Sequence, residues 1–143
     1  MSALVYNRPL QLVDGGQNLR CFTYIQDAVD AIEAIVDNPE VFNRQIVNVG
    51  NPKNEISIAG LATLMAEIYK LEFDSKACGE IVNVDSEAFY GKGYEDCDRR
   101  MPDISKLRKV GWEPKFGLKE TIFNSMQYWH SNKNRLVEVL GEG

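Results

Sequence analysis

Leu10-Gln-Leu-Val-Asp-Gly-Gly16 is a short run of strand-forming residues that stops at a glycine turn, with Thr23-Tyr-Ile-Gln26 a few residues beyond. Thr23 and Gln26 have the spacing of a capping box, which satisfies free amides at a helix start. Behind them Ile25, Ala28, Val29, Ile32, Ile35 and Val36 recur at helical spacing, and Asn38-Pro39 stops the run. A strand, a turn and a helix in this order set the pattern for the rest. Gln45 to Val49 is a β-branched run before Gly50 and predicts a buried strand. Ser57 caps a second helix with Ile58, Leu61, Ala62, Met65 and Ile68 on its apolar face. Ile81 to Val84 is a third strand candidate. Asp103 caps a short helix ending at Gly111, and Trp112-Glu-Pro114 forms an anchored turn. Leu118, Ile122, Met126 and Trp129 give a last helix its core-facing stripe, which Leu136 to Leu140 can extend. Alternation of this kind is α/β or α+β, with helices covering a small sheet. Three or four short strands are few for an independent parallel sheet, so these elements are expected to belong beside a larger one.

The chain has 143 residues, 44% apolar and 26% charged, which is ordinary for a globular domain, and we expect one domain over residues 1–143. A net charge of −5 argues against a broad nucleic-acid surface but not against a local anion site. No apolar run approaches the ~20 residues of a membrane helix, and Met1 to Arg8 lacks the pattern of a secretory signal. Cys21, Cys78 and Cys97 are odd in number and form no C-x-x-C pair, which fits a reduced, cytoplasmic compartment. Cys21 and Cys78 are expected to be small packing residues. With His130 as the sole histidine, no zinc site is expected.

Three segments are too polar and glycine-rich for simple core. In the first, Gln11, Leu12, Val13, Asp14, Gly15, Gly16, Gln17, Asn18, Leu19 and Arg20 run consecutively. The glycines permit positive φ and close backbone approach, and Arg20 follows within reach of an anion; a β-turn with a solvated arginine accounts for the spacing equally well. The second is Phe89-Tyr-Gly-Lys-Gly-Tyr94, then Glu95-Asp-Cys-Asp-Arg-Arg-Met-Pro102. An aromatic there can stack on a base and an arginine can hold a carboxylate or phosphate; an irregular loop tied by Arg–Asp pairs is the competing reading. The third, Asn48-Val-Gly-Asn-Pro-Lys-Asn-Glu55, reads best as a plain strand-to-helix connection. No G-x-G-x-x-G follows a strand, no Tyr-x-x-x-Lys occurs, and there is no nucleophile elbow or histidine-centred triad. By its residues alone this is a ligand-binding domain without a catalytic apparatus.

The same segments carry a family resemblance. Arg8-Pro-Leu-Gln-Leu-Val-Asp-Gly-Gly with Arg20-Cys-Phe-Thr-Tyr-Ile-Gln-Asp27 resembles the substrate loop and following helix of extended short-chain dehydrogenase/reductases. Asn48-Val-Gly-Asn-Pro-x-Asn-Glu55, Tyr90-Gly-Lys-Gly-Tyr-x-Asp96, Arg100-x-Pro102-Asp103 and Gly111-Trp-x-Pro-Lys115 narrow it. They are similar to the UDP-glucuronic acid decarboxylase domain of the bifunctional polymyxin-resistance enzymes and to the UDP-apiose/UDP-xylose synthases. The resemblance implies an α/β fold, the carboxy-terminal substrate-binding part of a Rossmann-type enzyme without its amino-terminal dinucleotide-binding part. It implies NAD in the full-length parent, none bound by this chain alone, and UDP-glucuronic acid or another UDP-sugar as ligand. In such enzymes C4 of the sugar is oxidised, and the resulting β-keto acid loses carbon dioxide. Arg100 then matches the arginine at the sugar carboxylate, Tyr94 a tyrosine at the nucleotide, and Gln11 through Arg20 the loop around UDP, with Arg20 pairing to phosphate. Gln11 stands where the polymyxin-resistance enzymes usually have lysine, a departure from the pattern at one uridine or phosphate contact.

The alternatives are another nucleotide-sugar epimerase or dehydratase, and a non-catalytic UDP-sugar binding or interaction module. A homo-oligomer is open; nucleic acid and membrane are not expected partners. Arg99 is expected to pair with Asp96, Asp98 or solvent while Arg100 faces the sugar. Exposed apolar surface is expected on the Ile25–Val36 helix and near Ile46, where a Rossmann sheet would dock.

Overall fold

A computed structural model describes residues 1–77, 79–93 and 96–140. Cys78 and Tyr94, both singled out above, lie outside the described residues. In chain order the elements are α1 (Ser2–Val5), β1 (Leu10–Val13), β2 (Leu19–Cys21), α2 (Ile25–Val36), α3 (Pro39–Phe42), β3 (Glu55–Ser57), α4 (Ile58–Glu72), β4 (Ile81–Val84), α5 (Ser86–Tyr90), β5 (Arg99–Arg100), α6 (Ser105–Arg108), α7 (Leu118–Ser131) and α8 (Lys133–Leu140). The architecture is α/β. The chain gathers into two compact units, one of Met1–Asn18, Ser57–Asp98 and Ile122–Gly143, the other of Leu19–Ile56 and Arg99–Thr121.

In the first unit β1 and β4 pair in parallel, from Leu10↔Ile81 to Val13↔Val84. Leu12 points into the core at 7% exposure while its neighbour Gln11 is exposed, the alternation a one-faced strand requires. Ser57 caps α4 as expected, its Oγ accepting from the Gly60 amide at 3.0 Å. Tyr69 of α4 is buried and stacks on Phe73, which also meets Phe123 of α7. Ile122 and Met126 close this core from α7. The Tyr69 hydroxyl lies 3.1 Å from His130 Nδ1. Burial, with Asp74 second, pushes the Tyr69 phenol up; burial, with Lys133 second, pushes His130 down. Both shifts favour the neutral forms, and the imidazole tautomer sets which of the two donates.

In the second unit the strand order is β3-β2-β5. Ala31 of α2 packs with Phe42, Ile104, Leu107 and Trp112, flanked by Ala34, Ile35, Val47 and Val110. Asp27, on the same face, is fully buried and accepts from the backbone amides of Lys115 and Phe116 at 2.8 and 3.2 Å. This carboxylate clamps the Trp112–Phe116 turn to the helix, and Lys115 Nζ adds an ion pair to Asp30 at 2.7 Å.

Three expectations change here. The start of α2 is no capping box: Tyr24 is its N-cap without a side-chain bond, Thr23 Oγ1 accepts from the Asn51 amide, and Gln26 donates to Asp30. The apolar stripe of α2 is split. Alanines 31 and 34 with Ile35 face the core, whereas Ile25, Val29, Ile32 and Val36 are exposed. Gln45–Val49 joins no sheet among the described residues, and Ile46 is 87% exposed. Its β-branched residues suit a pleated surface, but a strand also needs a ladder partner. Side chains hold it instead: Lys106 Nζ donates to the Ile46 carbonyl and Asn48 Nδ2 to that of Asp103.

Candidate functional site

β5 pairs in parallel with β2, Leu19 opposite Arg99 and Arg20 opposite Arg100. Because successive strand side chains alternate, the register sorts the two adjacent arginines to opposite faces. On one face Arg99 Nε and Nη2 donate to Glu55 Oε1 and Oε2 at 2.6 and 2.9 Å, a bidentate pair. Glu55, not Asp96 or Asp98, is therefore the acid that pairs with Arg99, whose side chain is otherwise 56% exposed. The hydrogen bonds from Arg99 hold the Glu55 carboxyl below its usual range, and Arg99 rises correspondingly. The acids nearest in sequence lose this partner because Glu55 sits in the same sheet, on the far side of β2.

Arg20 and Arg100 line a cavity of about 360 Å³ with Thr23, Gly50, Met101 and Pro102. Its approach depends on Gly50: a Cβ there would stand 2.5 Å from Pro102 Cγ, so any larger residue would displace the chain just after Arg100. Cys21 also lines the cavity. Burial first, and the Glu55 carboxylate second, push its thiol above the usual value, which disfavours a thiolate nucleophile. Two guanidiniums on one small cavity suit a carboxylate or a phosphate, each a planar or tetrahedral set of acceptors that a guanidinium fork can grip.

The remaining residues singled out by sequence have other surroundings. Gln11 to Asn18 lie in the first unit, Leu19 and Arg20 in the second. Asp14, Gly15 and Gly16 form a turn with φ of 47°, 72° and 62°. Gly16 backs onto α4, where a Cβ would meet the Ala59 nitrogen at 2.8 Å. Asp14 Oδ1 accepts from the Ser86 amide, Gln17 Nε2 donates to the Gly15 carbonyl, and Asn18 Nδ2 to Asp96. Leu12 is core, Val13 is half-buried strand, and Leu19 is half-buried in β2. Phe89 and Tyr90 meet edge to face at 4.8 Å and are half exposed, ahead of Gly91 and Gly93 at φ 92° and 83°.

The Asn48–Glu55 segment, read from sequence as a plain connection, holds the cavity in shape. Asn51 and Asn54 are buried, and both donate to the Phe116 carbonyl, Asn54 also to that of Phe22. With Asp27 they tie the Phe116 turn to β2 and to the loop behind Gly50. Two asparagines around a proline look like an ordinary turn; only their burial marks them as scaffolding.

No family model matches the chain. It is 40% identical over 137 residues to the UDP-D-apiose/UDP-D-xylose synthase of Oryza sativa subsp. japonica, covering 94% of this chain and 34% of that protein. Among solved structures it resembles the PbgP3 protein of Burkholderia pseudomallei, at 27% identity and a TM-score of 0.73 over 91% of this chain and 36% of that one. It also resembles a UDP-glucuronic acid 4-epimerase from Bacillus cereus, determined with UDP-4-deoxy-4-fluoro-glucuronic acid and NAD. That match has a TM-score of 0.72 at 20% identity, over 89% of this chain and 37% of that one, and speaks for the fold alone. The chain spans about a third of the length of the curated relatives it matches.

Proposed function

Because the chain is homologous to a carboxy-terminal part of the extended short-chain dehydrogenase/reductases, the NAD-dependent epimerase/dehydratase enzymes, we propose that it is the substrate-binding segment of a UDP-glucuronic acid decarboxylase. The observation that carries this is the pair Arg20 and Arg100, register partners on adjacent parallel strands and walls of one cavity. UDP-glucuronic acid presents two kinds of anion, a diphosphate and a sugar carboxylate. In this reading Arg20 takes phosphate and Arg100 the carboxylate, with Tyr94 and the residues from Gln11 onward serving the nucleotide.

The chemistry asked of this chain is modest. Once C4 is a ketone, the carboxylate is β to a carbonyl, and the bond to carbon dioxide breaks as charge moves onto an enolate. Arg100 holds the carboxylate and stabilises that charge. Oxidation of C4 by NAD is assigned to the larger part of the enzyme, since no G-x-G-x-x-G follows a strand in this sequence. That part is also the proposed occupant of the exposed α2 stripe and of the exposed segment at Ile46. The free thiols of Cys21 and Cys97 agree with a cytoplasmic setting. An epimerase acting on a neutral hexose would share the fold but give Arg100 no carboxylate to bind; one acting on a uronic acid would give it the same partner, and release of carbon dioxide separates the two.

The test has two arms. The purified 143-residue chain should release no carbon dioxide from UDP-glucuronic acid and NAD. In a full-length enzyme carrying this chain, Arg100→Met should lower decarboxylation by ~10²–10³-fold while UDP still binds. Turnover by the isolated chain, or near-normal turnover by the Arg100 variant, would overturn the reading.

A further inference from the structure

We propose that Glu55 is a positioning residue: by clamping Arg99 it decides which of two identical adjacent side chains enters the anion cavity. The inference rests on the reading of that cavity given above. β5 is only two residues long, and a parallel ladder of that length is a weak constraint on register. Slippage by one residue in a strand turns every side chain to the other face. Here it would carry Arg99 to the side of Arg20 and withdraw Arg100. The cavity cannot correct the error by itself, because a guanidinium would still face the ligand, displaced by one residue along the chain.

Two contacts oppose the slip. Beyond β5, Pro102 sits so close to Gly50 that a Cβ at Gly50 would meet it at 2.5 Å, which holds the chain from the carboxy-terminal side. Within β5, the bidentate bond from Arg99 to Glu55 at 2.6 and 2.9 Å holds the face. β3 lies on the far side of β2, so Glu55 reaches across the central strand, a span of roughly two strand spacings of ~4.8 Å each. Only a long side chain with a fork of donors, placed on that face, completes the pair. Arg99 fits it in the observed register, and Arg100 then points to Arg20. Glu55 touches no ligand in this arrangement and acts through the strand.

The experiment measures binding of UDP, UDP-glucose and UDP-glucuronic acid to the purified chain by calorimetry, in wild type, Glu55→Gln, Glu55→Asp, Arg99→Met and Arg100→Met. The wild type should prefer UDP-glucuronic acid over UDP-glucose, and Arg100→Met should abolish that preference. Glu55→Gln should lower the preference about 2- to 5-fold, the scale of an exposed ion pair, with UDP affinity and melting temperature unchanged. Arg99→Met removes the same pair from its other end and should give the same drop, which keeps the test decisive if one variant folds poorly. Glu55→Asp, which keeps the charge, should recover part of the preference. An unchanged preference in Glu55→Gln and Arg99→Met, beside its loss in Arg100→Met, would overturn the positioning role and leave the cavity reading standing. Equal weakening of all three ligands would reduce Glu55 to general scaffolding. A wild type without preference, unaltered by Arg100→Met, would overturn the cavity reading and this inference with it.

Discussion

Asp27→Ala should cost the chain much of its stability. The Asp27 carboxylate is fully buried and accepts from two backbone amides, Lys115 at 2.8 Å and Phe116 at 3.2 Å. Alanine leaves both amides without an acceptor. Hydrogen bonds to a charged group contribute ~1.5–3 kcal/mol each, so losing two should cost about 3–5 kcal/mol once water entry is allowed for. A domain of this size has a total stability of about 5–15 kcal/mol, so the variant should be near the edge of folding. Asp27→Asn keeps one acceptor oxygen and should lose roughly half as much, about 2 kcal/mol. Urea unfolding followed by the fluorescence of Trp112, 6% exposed in this core, gives the free energies. Hydrogen exchange at Lys115 and Phe116 locates the damage. The reasoning is refuted if Asp27→Ala loses under ~1 kcal/mol, or if it is destabilised with both amides as protected as in wild type.

The exposed stripe of α2 should make the isolated chain self-associate, since Ile25, Ile32 and Val36 are 68%, 58% and 69% exposed with Ile46 at 87%. Sedimentation velocity should show association that rises with concentration and falls in Ile32→Glu/Val36→Glu, and a strictly monomeric wild type at high concentration counts against this. Stability should also fall on acidification past His130. Its pKa is depressed from the usual 6.5, chiefly by burial, so the unfolded chain takes up a proton first. The stabilisation is complete above 6.5 and is lost as pH falls through the lower folded value. Denaturant midpoints at pH 8 and pH 5.5 for wild type and His130→Gln check this; the wild type should lose more than the variant, and equal losses would place the pH dependence elsewhere.

How far the sequence carried the fold depends on where each signal came from. The β1 strand, the α2 boundaries, the Ser57 cap and β4 were all legible, because propensity, capping chemistry and turn residues act over a few neighbours. The capping box at Thr23 was not. Thr23 had the right spacing, but the Asn51 amide reached its hydroxyl first. Gln45–Val49 had strand composition and no strand beside it among the described residues, since a ladder needs a partner that composition cannot supply. The same holds for α2, where helical spacing found the apolar residues but could not say which of them met a core.

By itself the sequence determined a chain of alternating strands and helices with a glycine turn, a basic doublet and no dinucleotide fingerprint, all local properties of residue order. Tertiary structure alone decided which arginine of the doublet faces which neighbour. Arg99 and Arg100 are chemically identical and adjacent. What separates them is a strand register that sets Arg100 beside Arg20, and a glutamate 44 positions away in the chain. An alternating apolar pattern would have specified the register from sequence, but a strand of two arginines has none, so contacts with distant segments fix it.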